Sequence, residues 1–316
     1  MTISEQMTSS EPEKTFKMNI VIKIISVLLP VLSVVMPLHA QENPADTLQG
    51  SSCIPVRTVT EEELAYQAGE RLHFTLHYEW GAIRSDVATA TVSLDSLTFN
   101  GQDAFHVKVD GRTPRFYDFF FKIREDFQAW FTRDGLKPLK FTRDTREGRY
   151  HATNDYVYDW NAAEPHIAAD VYSSSKGKGR KQLELPLDPC TFDLPALFFY
   201  ARNMDFAVVE PGRKYPMTFA IDDEIYHVYF ILHGRETVEV KGLGKVRTIK
   251  FAAKLVAGEI FTGETDMMIW VSDDDNRVPV CFEAPILVGV GAGRLQEYSG
   301  LKYPFTALVE PYTDKK

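Results

Sequence analysis

Residues Arg71–Trp80 read RLHFTLHYEW, and this stretch decides the fold class of the 316-residue chain. Leucine, phenylalanine, tyrosine and tryptophan alternate with arginine, histidine, threonine and glutamate, so apolar and polar side chains fall on opposite sides of an extended backbone. A helix would spread the same apolar positions over several faces. The stretch is therefore predicted to be a half-buried β-strand.

Similar extended patterns recur along the chain in two series. The first series is predicted over 69–160, with a tight hairpin at Asn100-Gly101 because this dipeptide suits a two-residue turn. The second is predicted over 212–303, where acidic or glycine-rich turns separate apolar runs. About a dozen strands at intervals of roughly 8–14 residues indicate an antiparallel β protein.

One helix and one flexible loop lie between the two series. Asp193 is a good N-cap and an apolar stripe follows it, so a helix is predicted over about 193–203. Residues 173–181 read SSSKGKGRK, and this small, basic composition is typical of an exposed loop. A nucleic-acid patch would be a sharper interpretation, but no aromatic residues interleave with the basic ones.

Together these elements predict a mainly β fold. The arrangement is either an antiparallel curved sheet, forming a half-barrel, or two β lobes, with one central α-helix. A single β domain is predicted over 66–308, after an N-terminal linker at 41–65 and before a tail at 309–316. The sequence leaves open whether the two series form one continuous sheet or two lobes.

The segment 1–40 is predicted to be a secretory signal peptide with true initiation at Met18. Lys17 and Lys23 flank the start of an apolar run, Ile24–Met36, and the small Ala40 precedes the expected cleavage site. A membrane anchor would want about 20 apolar residues, whereas two prolines interrupt this run. We therefore expect a periplasmic or otherwise exported protein whose mature chain has no integral membrane span.

The charge balance narrows the class of partner. The chain carries 35 basic and 44 acidic residues, and its net charge is −9. Nucleic acid and anionic lipid heads attract basic surfaces, so neither is expected as the main partner. Hydrophobic residues make up 44% of the chain, a proportion typical of globular proteins rather than disordered ones.

Three cysteines, Cys53, Cys190 and Cys281, allow one disulfide and one remaining thiol in an oxidising compartment. Cys281 lies in an apolar run, where a buried thiol behaves as a small hydrophobe. Cys53 and Cys190 lie in turn-rich segments, so Cys53–Cys190 is the favoured pairing, and the other two pairings stay open. A catalytic thiol is not expected, because no cysteine has a nearby histidine or a C-x-x-C partner.

Signatures of common catalytic and cofactor sites are missing from the sequence, including G-x-S-x-G, H-E-x-x-H and the phosphate-binding loop. His73 and His77 share one strand face, but their α-carbons would lie about 13 Å apart, so we expect solvent-facing side chains. Asp222 and Asp273 belong to acidic turns without the order of a calcium loop. We therefore predict no catalytic residue, no metal, no cofactor and no enzymatic activity.

Aromatic residues are the more suggestive candidates for a site. Aromatic strands more often fill a core than line a pocket, yet a curved sheet with a helix across its mouth can hold an apolar guest. The predicted ligand-binding residues are Trp80, Tyr117, Phe119, Phe121 and Trp130.

Several segments resemble the bacterial domain of unknown function 3108 family. The segments that carry the resemblance are Tyr66–Leu72 with His77–Gly81, Phe192–Arg202, Gly258–Gly263, Trp270–Asp274 and Arg277–Val280. The resemblance covers nearly all of Cys53–Leu308. It implies an exported protein of Gram-negative envelopes, in a Bacteroides-like setting, with a mostly antiparallel β fold. It carries over no catalytic residue, because the family has none agreed.

These observations favour a non-catalytic envelope protein that binds an apolar or amphipathic envelope molecule. The first alternative is a structural or protein-interaction module that uses a sheet edge or the loop 173–181. The second alternative is an envelope glycan or lipid hydrolase, which would need two carboxylates converging in a cleft. The sequence does not identify the ligand, a partner protein or the oligomeric state.

Overall fold

The computed structural model describes residues 53–56, 60–81, 83–118, 122–254, 266–285 and 289–313, with the backbone alone at Trp80 and Ile83. The predicted signal peptide, most of the predicted linker, Phe119 and Phe121 lie outside these residues. In the described ranges, no helix combines the length and the apolar character that a membrane span requires.

In the part of the chain that the structure describes, sixteen strands form a single sheet. The first eight are β1 (Arg71–Trp80), β2 (Ile83–Phe99), β3 (Gln102–Arg112), β4 (Ile123–Thr132), β5 (Pro138–Glu147), β6 (Tyr150–Asp159), β7 (His166–Ser173) and β8 (Gly179–Pro186). The others are β9 (Thr191–Phe192), β10 (Lys214–Ile221), β11 (Glu224–Val240), β12 (Gly244–Lys254), β13 (Asp266–Ser272), β14 (Pro279–Pro285), β15 (Val290–Ser299) and β16 (Leu308–Pro311). Two helices, α1 (Arg115–Asp118) and α2 (Leu194–Ala201), and a 3₁₀ turn at Glu61–Glu63 complete the description.

The strand order is two meanders that share one seam. Strands β8 to β1 follow one another across the first meander, and β15 down to β9 follow one another across the second. The seam is the antiparallel pairing of β1 with β15. The mainly β, antiparallel prediction is therefore confirmed, with one continuous sheet rather than two lobes; the short β9 pairs in parallel with β10.

The predicted hairpin at Asn100-Gly101 joins β2 to β3, with Phe99 opposite Gln102. Asn100 has φ of 50° and Gly101 has φ of 82°. A two-residue turn that follows the twist of the strands needs positive φ at both positions, which asparagine and glycine tolerate best. This confirms the turn that the dipeptide predicts.

The predicted loop 173–181 is too long. Strand β7 runs to Ser173 and β8 begins at Gly179, so the turn covers 174–178. The pattern in β7 is a short alternation in which Ile167, Ala169 and Val171 are buried. Strand β8 ends the sheet, and an edge strand tolerates the basic residues that suggested a loop.

The described parts of the predicted linker and tail belong to the packed structure. Ile54 and Leu64 are buried in the core, which differs from the linker expected at 41–65. In the expected tail, Leu308–Pro311 forms β16 and pairs with β12. Gly244 makes this approach possible, because a side chain there would collide with the backbone at Glu310.

Helix α2 confirms the helix expected near 193–203. Asp193 accepts a hydrogen bond from the backbone nitrogen of Ala196 at 2.8 Å, and proline occupies the first turn. The ring of Phe199 lies 4.8 Å from that of Tyr66 and 6.1 Å from that of Phe131. The helix therefore packs against the concave face of the first meander.

One hydrophobic core joins both meanders and α2. We call the face of the sheet that carries this core the inner face. Its aromatic contributors include Phe127, Phe141, Tyr156, Phe199, Phe230 and Phe251. Because both meanders contribute, neither half buries its inner face without the other.

The structure contains the favoured disulfide, Cys53–Cys190, with the two α-carbons 5.2 Å apart. It ties the start of the described chain to the residue just before β9, the strand that precedes α2. Cys281 is the remaining thiol, on β14, and burial raises its pKa to about 12. A thiol with so high a pKa is a poor nucleophile at neutral pH.

Candidate functional site: a buried polar cluster on the inner face

Trp130 lies on the outer face of the sheet, away from the core. Ile123, Phe127 and the other odd-numbered residues of β4 are buried, so Trp130 points to the other side. Its ring stacks on that of His106, with centroids 4.5 Å apart, and on that of Phe99 at 5.8 Å. These contacts explain the half-buried tryptophan without a ligand.

Tyr117 lies in α1, where its hydroxyl is 2.9 Å from that of Ser85. Helix α1 precedes β4, which begins at Ile123. Trp130 lies seven residues after Ile123, so the α-carbons of these two residues are roughly 23 Å apart on an extended strand. The structure therefore does not bring Tyr117 and Trp130 into one site. The ligand-binding role of Trp80, Tyr117, Phe119, Phe121 and Trp130 stays a prediction, and Phe119, Phe121 and the Trp80 side chain lie outside the described parts of the structure.

A different set of residues converges on the inner face of the first meander, close to the first residues of β4. We call it the Arg143 cluster. Its members come from β4, β5, β6 and the turn between β10 and β11, and they are Glu125, Arg143, Thr145, Glu147, Asn154 and Asp222. The residues from the three strands are all buried.

Arg143 is at the centre of this cluster, with its side chain fully buried. Its Nε donates to the Thr145 hydroxyl at 2.8 Å. One terminal nitrogen donates to Asn154 at 3.2 Å and to the Asp222 carboxylate at 2.8 Å. Tyr156 donates to the backbone oxygen of Asp222 at 2.5 Å. Arg143 thus fastens the β10–β11 turn of the second meander to the inside of the first.

The cluster contains two further carboxyl groups, those of Glu125 and Glu147. Thr145 donates to one oxygen of Glu125 at 2.6 Å. Burial raises the pKa of Glu125 to about 7, while Thr145 and Arg143 act in the opposite direction. Burial also raises the pKa of Glu147 well above its usual range, and the neighbouring carboxylate of Glu125 raises it further.

The two glutamates are close enough to share a proton. Ile123 is opposite Glu147 and Glu125 is opposite Thr145, so the two carboxyl groups are diagonal neighbours on one face. Each has its Oε1 atom buried and accepts there from no other described group, and the two carboxyl groups hydrogen-bond to each other. Two adjacent buried carboxyl groups cannot both ionise cheaply, so ionisation of one opposes loss of the proton from the other.

Small residues flank Glu125 on the side of β3. Its partner on β3 is Gly111, whose own partner on β2 is Ala90. The next inward position on β3 is Val109, which keeps partial exposure although it faces the core. An inward valine that stays partly exposed borders space that solvent reaches, and Glu125 is its diagonal neighbour.

The inner face of the second meander carries a matching apolar surface. Several of its side chains pack against the core yet remain partly exposed, and we call them the apolar wall. They are Met217, Phe219, Met267, Ile269 and Val271. Partly exposed apolar side chains on a concave face are typical of a binding cleft.

A second buried arginine, Arg202, lies just after α2. Its guanidinium donates to both oxygens of Glu70, at 2.5 and 2.9 Å, and to the backbone oxygen of Asn276 at 2.8 Å. The group also lies over the ring of Tyr66, 5.1 Å from its centroid. These residues belong to, or border, the segments that carry the family resemblance. Arg202 links the end of α2 to Glu70 and Asn276, and we call this group the structural joint.

The other polar candidates are dispersed. His73 is exposed beside Thr91, while His77 contacts Arg294 at 3.0 Å. Burial and the charge of Arg294 lower the pKa of His77. Asp273 pairs with Arg235 at the surface. Among the residues that the structure describes, no group of three or more histidine, cysteine or acidic side chains could hold a metal ion.

Sequence reasoning missed Glu125 and Glu147. The available signal was the alternation of β4, because Glu125 occupies one of the alternate positions that face inward, between the buried Ile123 and Phe127. A charged residue in the inward phase of a strand is unusual unless it has a partner or a role. The proximity of Glu147 depends on the register between β4 and β5, which the sequence does not state.

The fold and this cluster define a β-sheet protein with a polar group inside its concave face. The family model described as "Protein of unknown function (DUF3108)" matches residues 73–295, so the chain belongs to the DUF3108 family. No curated protein matches the chain in sequence.

Two solved structures are similar to the chain. One is a β-barrel-like protein of domain of unknown function DUF1849 from Brucella abortus, at 13% identity and a TM-score of 0.43, covering 77% of this chain and 98% of that one. The other is described as "a putative lipoprotein" from Parabacteroides distasonis, at 11% identity and a TM-score of 0.32, covering 75% of this chain and 99% of that one.

Proposed function

We propose that this protein is an exported, non-catalytic component of the cell envelope that binds an apolar or amphipathic molecule against its inner face. The observation that carries the proposal is the partial exposure of inward apolar side chains, namely Val109 on the first meander and the apolar wall on the second. A protein without a guest gains by covering such surface, since burial stabilises by roughly 25 cal/mol per Å².

The leader supports export, because 1–40 has the regions of a secretory signal peptide. The disulfide fits the same compartment, since disulfides persist where thiols are oxidised. Both observations support the periplasm or the cell surface as the place where the ligand is met.

The experiment is native mass spectrometry of the protein purified from the envelope of its own host. We expect a mass excess that disappears on organic extraction. Val109→Phe should reduce the bound fraction, because it adds bulk at this partly exposed inward position. The matched control is Val157→Phe, because Val157 is 49% exposed on the outer face. A bare mass in the wild-type protein, or equal loss of the guest in both variants, would contradict the proposal.

A second candidate function is an envelope glycan or lipid hydrolase, which the paired carboxyl groups of Glu125 and Glu147 favour. Hydrolases of this kind use one protonated and one ionised carboxyl group. The depth of the pair favours binding instead, because Glu125 is only 3% exposed and Glu147 only 6%. Release of sugar or fatty acid from isolated envelope material, lost in Glu125→Gln, would establish this candidate in place of the first.

A further inference from the structure

Strand β8 forms one end of the sheet and presents a long edge. Among the described residues it pairs with β7 alone, and this pairing runs from Gly179 to Pro186 without a register shift. The opposite end of the sheet is the two-residue strand β9. Most of β8 is exposed. The edge of a sheet offers backbone N–H and C=O groups that the strand of another molecule can pair with.

The outer face of β8 carries charges of both signs. Leu185 is buried and Leu183 packs against the core, so the alternate residues Arg180, Gln182 and Glu184 point outward. The side chain of Arg180 is 71% exposed and that of Glu184 is 75% exposed. The positive and the negative charge therefore lie at equal distances on either side of Gln182.

This charge pattern is self-complementary. When two copies of β8 run antiparallel about a twofold axis at Gln182, Arg180 of each copy lies opposite Glu184 of the other. An axis perpendicular to the sheet keeps both outer faces on one side, so the paired side chains meet. Opposite charges directly across two strands stabilise the pairing. Charged residues usually protect an edge from pairing, but here each of them meets its opposite.

Neighbouring registers of the same symmetry lose this complementarity. A twofold axis one residue later places Pro186 opposite Arg180, which then has no carboxylate across from it. An axis one residue earlier places Lys181 opposite itself, so that two like charges meet. The axis at Gln182 avoids both and uses only residues 179–185, all of which belong to β8.

Arg180 can donate to a second carboxylate and keep the first. Its Nε and one terminal nitrogen donate to Asp170 at 2.8 and 2.6 Å, so the other terminal nitrogen can reach across the new pair of strands. Glu184 lies 3.9 Å from the ring of His166, which is longer than a hydrogen bond. Its carboxylate can therefore accept from Arg180 of the second copy.

We infer that β8 pairs antiparallel with β8 of a second copy of this chain, and that one sheet runs through the resulting twofold dimer. The inference is independent of the proposed function, because the pairing uses the edge and the outer face of β8 rather than the inner face. A single pair of strands buries little surface, so the dimer is weak and dissociates on dilution. Salt weakens it further, because it screens the exposed charges.

The first test is sedimentation velocity of the purified protein at low salt, over about 1 to 100 μM. The dimer should form as the concentration rises. Arg180→Glu and Glu184→Arg each place like charges opposite one another, so each alone should raise the dissociation constant at least about tenfold. An equal mixture of the two variants should dimerise as the wild type does, because every glutamate then faces an arginine. The matched control is Arg84→Glu, because Arg84 is 77% exposed on β2.

The second test measures the register. In the dimer the α-carbon of Gln182 lies about 5 Å from its own copy, so Gln182→Cys should form a disulfide-linked dimer with oxidised glutathione. Glu184→Cys should not, because residue 184 of one copy lies about 13 Å along the strand from residue 184 of the other. Cys281 does not compete, since burial raises its pKa to about 12.

Three results would each overturn the inference. They are a protein that stays monomeric over the whole concentration range, a dimer that both charge reversals leave intact, and a mixture of the two variants that stays monomeric. Equal cross-linking of Gln182→Cys and Glu184→Cys would overturn the register. None of these results bears on the proposed function, which the mass of a bound guest tests separately.

Discussion

Arg202 and Arg143 are both buried, yet their surroundings differ. Arg202 meets a single carboxylate, Glu70, which accepts from both of its terminal nitrogens. Arg143 meets Asp222 and, through Thr145, is linked to the further carboxyl group of Glu125. Around Arg202 the positive and negative charges balance, whereas around Arg143 the acid is in excess.

This difference separates a structural joint from a candidate site. A buried charge that is fully paired needs nothing else, so the Arg202 group holds α2 to the segments around it. Buried carboxyl groups with raised pKa values are costly to ionise in the folded protein, and groups of this kind are often kept for a role. The comparison therefore directs attention to the Arg143 cluster, which no sequence motif marks.

The largest effect is expected at the joint. Glu70→Gln leaves the guanidinium of Arg202 buried without its counter-charge, and breaking a buried pair in this way costs about 3–5 kcal/mol. The free energy of unfolding from urea titration at pH 7 checks this. A loss below about 1 kcal/mol would show that Arg202 finds another partner, and the two arginines would then not differ as described.

The next effect is a dependence on pH at the Arg143 cluster. Burial raises the pKa of Glu125 from 4.5 to about 7, so the folded protein binds more protons than the unfolded chain between these values. Stability should therefore fall as pH rises through this range, by roughly 3 kcal/mol from this residue.

The variant Glu125→Gln tests this assignment. It should be more stable than the wild type at pH 8 and close to it at pH 4.5, as measured by urea titration at both values. The Glu184→Gln protein should keep the wild-type slope, because its carboxyl group is exposed. If the free energy of unfolding changed with pH in the same way in the wild type and in Glu125→Gln, burial would not oppose the ionisation of Glu125.

A smaller effect is expected at the N-cap of α2. Asp193→Ala removes the acceptor of the Ala196 nitrogen and should cost about 1–2 kcal/mol at pH 5. Asp193→Asn keeps an acceptor and should stay within about 0.5 kcal/mol there. Burial raises the pKa of Asp193 to about 7, so Asp193→Asn should also gain stability relative to the wild type at pH 8. Equal losses in both variants would contradict a capping role.

The smallest effect is expected for an ion pair at the surface. Arg180 donates to Asp170 from two nitrogens, at 2.8 and 2.6 Å, but the Arg180 side chain is 71% exposed. Arg180→Ala should leave the free energy of unfolding close to that of the wild type, since water and ions screen the pair. A loss comparable with that of Glu70→Gln would mean that burial does not determine how much the ion pair of each arginine contributes to stability.

Local patterns were sufficient for much of the fold. The alternation in Arg71–Trp80, the Asn100-Gly101 turn and the cap at Asp193 each depend on neighbours in sequence, and all three have the structure that they predict. The favoured pairing Cys53–Cys190 also agrees with the structure. These features depend on backbone preferences that a short window of residues contains.

The candidate site could not be predicted in the same way. A ligand-binding role was predicted for Trp130, and the packing of β4 places its ring on the outer face against His106, a position that the sequence did not indicate. Glu125 and Glu147 become neighbours only through the register of β4 and β5, and Asp222 reaches Arg143 from 79 positions along the chain. Contacts of this kind depend on how distant strands align, which local propensity does not determine.

The seam between β1 and β15 has a consequence for how the chain assembles. Nearly every other pairing in the sheet joins strands that are close in sequence, whereas the seam pairs Arg71 with Ser299. Short-range hairpins form quickly, while closing so long a loop is slow. During synthesis the first meander can therefore form while β1 still presents an open edge, and this edge is exposed to aggregation until the last long strand arrives.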